Sequence, residues 1–230
     1  MGTKVIRYRF RMPDNSSEEF KLELNPLNLE LKGNIPEYLP PWTKLDFHQC
    51  PNCPLDVLTH PHCPLAANIV NVVQRFDGLI SYDNVVVDVI TEERWIILHT
   101  TAQKGISSMM GLVIATCGCP HTAFFKPMAR FHLPLASEEE TIFRATSTYL
   151  LAQYYLKKEC RIVDFEFEGL TRIYNNIQII NVAIAERLRA ATVTDSSINA
   201  IVLLDSYAQA LPLAIEKSLA EIRHLFSSFL

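Results

Sequence analysis

From Val5 to about Leu31 the chain alternates apolar and polar residues with a period of two. Ile6, Tyr8, Phe10 and Met12 fall on one side, with Arg7, Arg9 and Arg11 on the other. After a loop at Pro13–Ser16, Phe20, Leu22 and Leu24 alternate with Glu19, Lys21 and Glu23, and Asn25-Pro26 turns the chain into Leu27, Leu29 and Leu31. This is the pattern of an antiparallel β-meander with one buried face. The arginine row reads as cross-strand partners of Glu19 and Glu23 rather than as a phosphate-binding stripe.

Further along, the spacing predicts a short helix over 65–76 and paired strands at 84–90 and 94–101 that turn at Thr91-Glu92-Glu93. Residues 105–116 read as an apolar helix or buried strand. Ser137 with Glu140 forms a capping box opening a helix to about Lys158. Alternation returns at 162–168, which reads as a strand. An apolar stripe of Leu170, Ile173, Ile177, Ile180, Ile184 and Leu188 predicts a helix over 169–189. A third helix is expected from Asp195 or Ser196 to about Ala210. Pro212 then suits the first turn of a last helix carrying Ile215, Leu219, Ile222, Phe226 and Phe229 at four-three spacing. The fold class is α+β: a meander (1–32), a Cys/Pro-rich knuckle (33–64), then a small central sheet and a helical C-terminal half (65–230), all in one compact unit.

The segment 33–64 breaks every periodicity. It holds Pro36, Pro40, Pro41, Pro51, Pro54, Pro61 and Pro64, which exclude helix interiors and central strands. Such a stretch needs a cross-link to hold one shape. Elsewhere composition permits a large core: 230 residues, 49% hydrophobic and 20% charged, so general disorder is excluded. A net charge of −4 argues against a nucleic-acid partner. The N-terminus lacks a secretory pattern and no apolar run approaches a membrane span, so the expectation is a soluble cytoplasmic protein without a membrane partner. In that reducing setting, six cysteines suggest metal or redox chemistry rather than disulfides.

Four of those six cysteines directly precede proline: Cys50, Cys53, Cys63 and Cys119. With proline at about 5% of residues, chance would give this with a probability on the order of 10⁻⁴. Cys50-Pro51-Asn52-Cys53 has the two-residue spacing that offers two sulfurs to one ion from a single turn, and Cys63 and Cys119 complete a tetrahedral thiolate set. Zinc is the favoured ion, in a structural, non-catalytic role. His60, His62, Cys117 and His121 are possible substitute ligands. A [4Fe-4S] cluster on the same cysteines is the alternative, serving a redox enzyme or sensor with Arg130 and His132 facing a substrate. A third reading, a thiol oxidoreductase acting through Cys50 and Cys53, lacks the helix that should follow such a pair.

Other groupings have plainer readings. Arg130 and His132 lie before a helix start bearing Glu138, Glu139, Glu140 and Arg144, an arrangement suited to anion binding or acid–base work. Acidic residues in a first turn are, however, favoured by the helix dipole alone. Asp164, Glu166 and Glu168 read as a solvated strand face, and Glu221 with His224 as a solvated helix face. No phosphate loop, nucleophile elbow or other catalytic signature is present. Homo-oligomerisation through the last helix or the meander edge is compatible with the pattern, and any small-molecule ligand is left unidentified. The strings Cys50-Pro51-Asn52-Cys53-Pro54-Leu55, Gly118-Cys119-Pro120-His121 and Ala129-Arg130-Phe131-His132-Leu133-Pro134 resemble those of an uncharacterised bacterial family. The resemblance implies a bacterial cytoplasmic protein and carries no activity.

Overall fold

The alternation of the first 24 residues becomes two long strands, β1 (Lys4–Arg11) and β2 (Ser17–Leu24), paired antiparallel with Tyr8 opposite Phe20. The structure is a computed structural model describing residues 2–192 and 194–230, apart from the side chains of residues 211, 213–216 and 218. A two-residue β3 (Leu31–Lys32) follows, then α1 (Pro64–Arg75), β4 (Asn84–Ile90), β5 (Trp95–Thr101) and α2 (Ala102–Thr116). The strand order is β3-β2-β1-β4-β5, all antiparallel. Because β1 pairs with β4, the N-terminal meander and the central hairpin form a single sheet.

Ile6, Tyr8, Phe10, Leu22, Leu24, Val87 and Val89 are buried on its inner face. Phe76, just past α1, packs edge-on against Phe10 with ring centres 4.8 Å apart. On α2, Gly105 lets the helix approach the sheet: a Cβ there would stand 2.9 Å from both the Phe10 ring and Val87. The outer face carries the expected ion pairs in part. Arg9 meets Glu19 at 3.3 Å, while Arg11 pairs with the buried Asp88 of β4 at 3.1 Å. Glu23 pairs with Lys21 of its own strand.

The helical half is α3 (Lys126–Arg130), α4 (Glu138–Lys158), α5 (Glu168–Arg189) and α6 (Ser196–Ile222). The Ser137–Glu140 capping box is formed in both directions. Among the described residues no single helix is long and apolar enough to cross a membrane.

Three local expectations are corrected. Leu27 and Leu29 are not in a strand: Asn25 closes a turn by accepting from Leu27 N, Leu29 takes a left-handed backbone (φ 58°), and Leu27 is exposed. Residues 162–167 form no strand either. Asp164 accepts from Gly169 N, Glu166 N and the Tyr149 hydroxyl at 2.7–2.9 Å, so this stretch is the capped entry to α5. Finally, α6 runs through Pro212 instead of restarting there. Proline cannot bond to the carbonyl four residues back, that of Ala208. Gln178 of α5 donates to that carbonyl at 3.0 Å, so the orphaned acceptor is satisfied by a neighbouring helix. The side chain of Ile215, on the expected apolar stripe, lies outside the described residues; Phe229 at its end is exposed.

Candidate metal centre

Prolines set the backbone around the cysteines. Pro51 occupies the second position of a turn closed by Cys53 N to Cys50 O at 2.9 Å, which proline's fixed φ favours. Pro64 and Pro120 are first residues of helical segments, α1 and the 3₁₀ helix Pro120–Phe125, for which Cys63 and Cys119 are the N-caps. Neither cysteine side chain makes a capping hydrogen bond.

The fold brings the remote Cys119 to the knuckle. Cys50 lies within electrostatic reach of Cys63, Cys53 and Cys119, and Cys119 within reach of Cys63 and Cys53. Burial pushes the Cys50 thiol up to about 12, with the neighbouring thiols adding to the rise. Cys119 is raised by the same leading cause. Cys63 is buried, and Cys50, Cys53 and Cys119 are half-buried against the core. The four cysteines thus share one partly desolvated neighbourhood. Among the described residues, however, no group of three or more Cys, His, Asp or Glu side chains stands in metal-holding geometry.

Two contacts fasten this neighbourhood. His121 Nε2 donates to the Asn52 carbonyl at 2.7 Å, joining the Cys119 arm to the knuckle turn, and Asn52 Nδ2 donates to Asn176 of α5 at 2.9 Å. From the other side Arg187 of α5, 1% exposed, reaches under the Pro-rich segment. Its guanidinium donates to the carbonyls of Trp42, Lys44 and Leu45 at 2.8, 2.6 and 3.0 Å. Arg187 also lies in electrostatic contact with Cys63, Cys50 and Cys53. The segment 33–64 is thus held by hydrogen bonds, including Cys63 N to Thr43 O at 2.8 Å.

The substitute ligands are placed differently. His60 is exposed with its ring against Thr59, and His62 Nδ1 bonds Thr43 Oγ1 at 2.8 Å. Cys117 is buried at the end of α2, its thiol donating to Ile114 O, though it too senses Cys119 and Cys63. Cys160, after α4, is exposed.

Arg130 and His132 do not form a joint site. Arg130 lies over the Phe131 ring, 5.9 Å from its centre. His132 turns inward: the Tyr8 hydroxyl donates to its Nε2 at 2.5 Å, and Ser108 Oγ, 3.0 Å from the Tyr8 oxygen, accepts from Leu135 N. Burial, reinforced by the Arg144 charge, holds the His132 imidazole down at about 3. The unfolded chain takes up that proton near pH 6.5 and the folded one does not, so stability is full above pH 6.5 and falls as pH drops toward 3. After discounting for the ring edge that solvent reaches, the loss at pH 4 is about 2–3 kcal/mol. His132→Gln keeps an acceptor for Tyr8 without titrating there. Its urea-unfolding free energy is expected to fall less between pH 7 and pH 4, by that amount; an unchanged acid limb would refute the assignment.

The model of the family described as Domain of unknown function (DUF6901) matches residues 6–227. The chain belongs to this family. The match takes in the sheet from Ile6 onward, the knuckle and α1 to α6, so the cysteine neighbourhood lies wholly inside the DUF6901 domain. Neither the curated proteins nor the solved structures contain a match.

Proposed function

We propose that this member of the family is a non-catalytic, cytoplasmic bacterial metal-binding protein in which Cys50, Cys53, Cys63 and Cys119 hold one structural zinc ion. The observation that carries the reading is the electrostatic contact of Cys119 with Cys53 and Cys63 across more than fifty residues of sequence. Closing the four sulfurs onto an ion about 2.3 Å away is the step the proposal adds. Arg187 fits the same reading, since four thiolates around a divalent cation leave net negative charge that a neighbouring guanidinium offsets. A redox pair at Cys50 and Cys53 fits less well, because the turn is not followed by an α-helix. Self-association through the C-terminal end of the chain belongs to the reading as well, and gel filtration against a truncation after Arg223 tests it.

The direct test is elemental analysis of protein purified without oxygen. About one zinc per chain is expected, from a colourless preparation. Less than about half an equivalent of any transition metal would overturn the proposal. A brown preparation containing iron and sulfide would transfer the same ligands to an iron–sulfur cluster and overturn the zinc assignment. A titratable Cys50–Cys53 disulfide with no metal would replace both with thiol chemistry.

A further inference from the structure

Between α2, the segment 125–137, α4, α5 and α6 lies a cavity of about 370 Å³. That is within the range of small-molecule sites, roughly 300–1,000 Å³. Its walls are chiefly apolar, with Leu112, Ile114, Ile177 and Leu204 among them. The charged side chains lining it are Lys104 and Arg144, with no aspartate or glutamate. Lys104 is exposed, at the rim, while Arg144 is half-buried.

Arg144 has only part of its hydrogen-bonding capacity in use. Both of its hydrogen bonds leave from Nη2, to the carbonyls of Met128 and Phe131 at 2.8 and 3.2 Å. The nearest carboxylate in electrostatic reach, Glu140, is committed to the Ser137 backbone N–H of the capping box. Burial accordingly depresses the Arg144 pKa, the mark of a cation short of a counter-charge. Beside it stands Tyr174, 6% exposed and lining the same cavity, whose ring packs on Phe125. Its hydroxyl senses Arg144 and bonds to no described residue. A fork of guanidinium donors and one phenolic donor therefore meet at one wall of an otherwise apolar chamber.

We infer that this cavity is a binding site for a small monocarboxylate with an apolar body, its carboxylate held by Arg144 and Tyr174 and its tail among the aliphatic side chains of α2, α5 and α6. A carboxylate matches the planar guanidinium fork and supplies the missing counter-charge. Apolar burial supplies the rest of the affinity. A ligand with a cationic end does not fit, because the lining offers no aspartate or glutamate to meet it. The site is separate from the proposed zinc ligands and does not depend on them.

Titration calorimetry on the purified full-length protein at neutral pH tests this with three probes of equal chain length: decanoate, decanol and decylammonium. Decanoate is expected to bind saturably at one per chain, with decanol about tenfold weaker or worse and decylammonium weaker still. Arg144→Gln should cost decanoate about tenfold while barely changing decanol. Tyr174→Phe, which leaves the Arg144 backbone contacts intact, should cost decanoate roughly three- to tenfold. The inference is overturned if decanoate shows no saturable binding, if decanol binds as tightly, or if Tyr174→Phe leaves the decanoate affinity unchanged. The last readout survives even if Arg144→Gln does not fold.

Discussion

Cys53→Ser is expected to lower the midpoint of thermal unfolding by about 10–20 °C, the equivalent of roughly 5 kcal/mol in a domain of this size. The reasoning starts from the segment that would lose its cross-link. Residues 33–64 contribute a short bridge between Lys44 and His62, a 3₁₀ turn at Pro41–Thr43 and little other regular structure. A bound ion exists only in the folded chain, so its binding free energy is folding free energy, and serine is a far weaker zinc ligand than thiolate. Packing cannot explain a loss of that size: Cys53 is half-buried, and exchanging sulfur for oxygen at such a site leaves almost the same volume. Two controls separate the causes. Cys160→Ser, at an exposed position outside the cluster, should leave the midpoint within about 1 °C. Wild-type protein stripped by a strong chelator should melt with Cys53→Ser, because both lack the same ion. Were the stripped and loaded wild-type proteins to melt together, the metal would contribute nothing and the structural role would fall.

The framework of this fold is legible in the sequence wherever the pattern is set by one face of one element. Ile6, Tyr8 and Phe10 alternate because a sheet buries every second residue, and Ser137 with Glu140 marks the start of α4 because those two side chains satisfy local N–H groups. Legibility fails where a distant partner decides. Nothing near Pro212 announces that Gln178, on another helix, will take the carbonyl proline abandons. Residues 162–167 alternate as a strand would, yet Asp164 finds three local donors and no strand lies alongside, leaving Ile162 almost fully exposed. Part of the cause of the Cys-Pro signature is local: Pro51, Pro64 and Pro120 each fit a turn or a helix start. Arg187 carries a signal in its position alone. It lies seven residues after Ile180 and three after Ile184, so it is a charge on the buried stripe of an amphipathic helix. Arg144 stands in the sequence among groups suited to anion binding, but nothing there marks Tyr174, since only tertiary packing makes the two neighbours.

That buried charge carries the second large effect. Arg187→Leu is expected to destabilise the protein by about 3–5 kcal/mol in urea unfolding, because it strands the carbonyls of Trp42 and Leu45 without donors and leaves that of Lys44 only the Phe47 N–H. Leucine fills much of the space, so the loss measures hydrogen bonds more than volume. Arg187→Lys should recover only part of it: an ammonium keeps the charge but presents three donors from one point, whereas these acceptors are met by two guanidinium nitrogens. The same pair of variants separates the two roles of the guanidinium. If its charge offsets the thiolates of Cys50, Cys53 and Cys63, Arg187→Leu should also release zinc more readily to a chromophoric chelator, while Arg187→Lys holds it nearly as well as the wild type. Equal zinc release from all three proteins would leave Arg187 as a clamp on the Pro-rich segment alone. A loss below about 1 kcal/mol in Arg187→Leu would remove even that, since two stranded buried carbonyls cannot be so cheap.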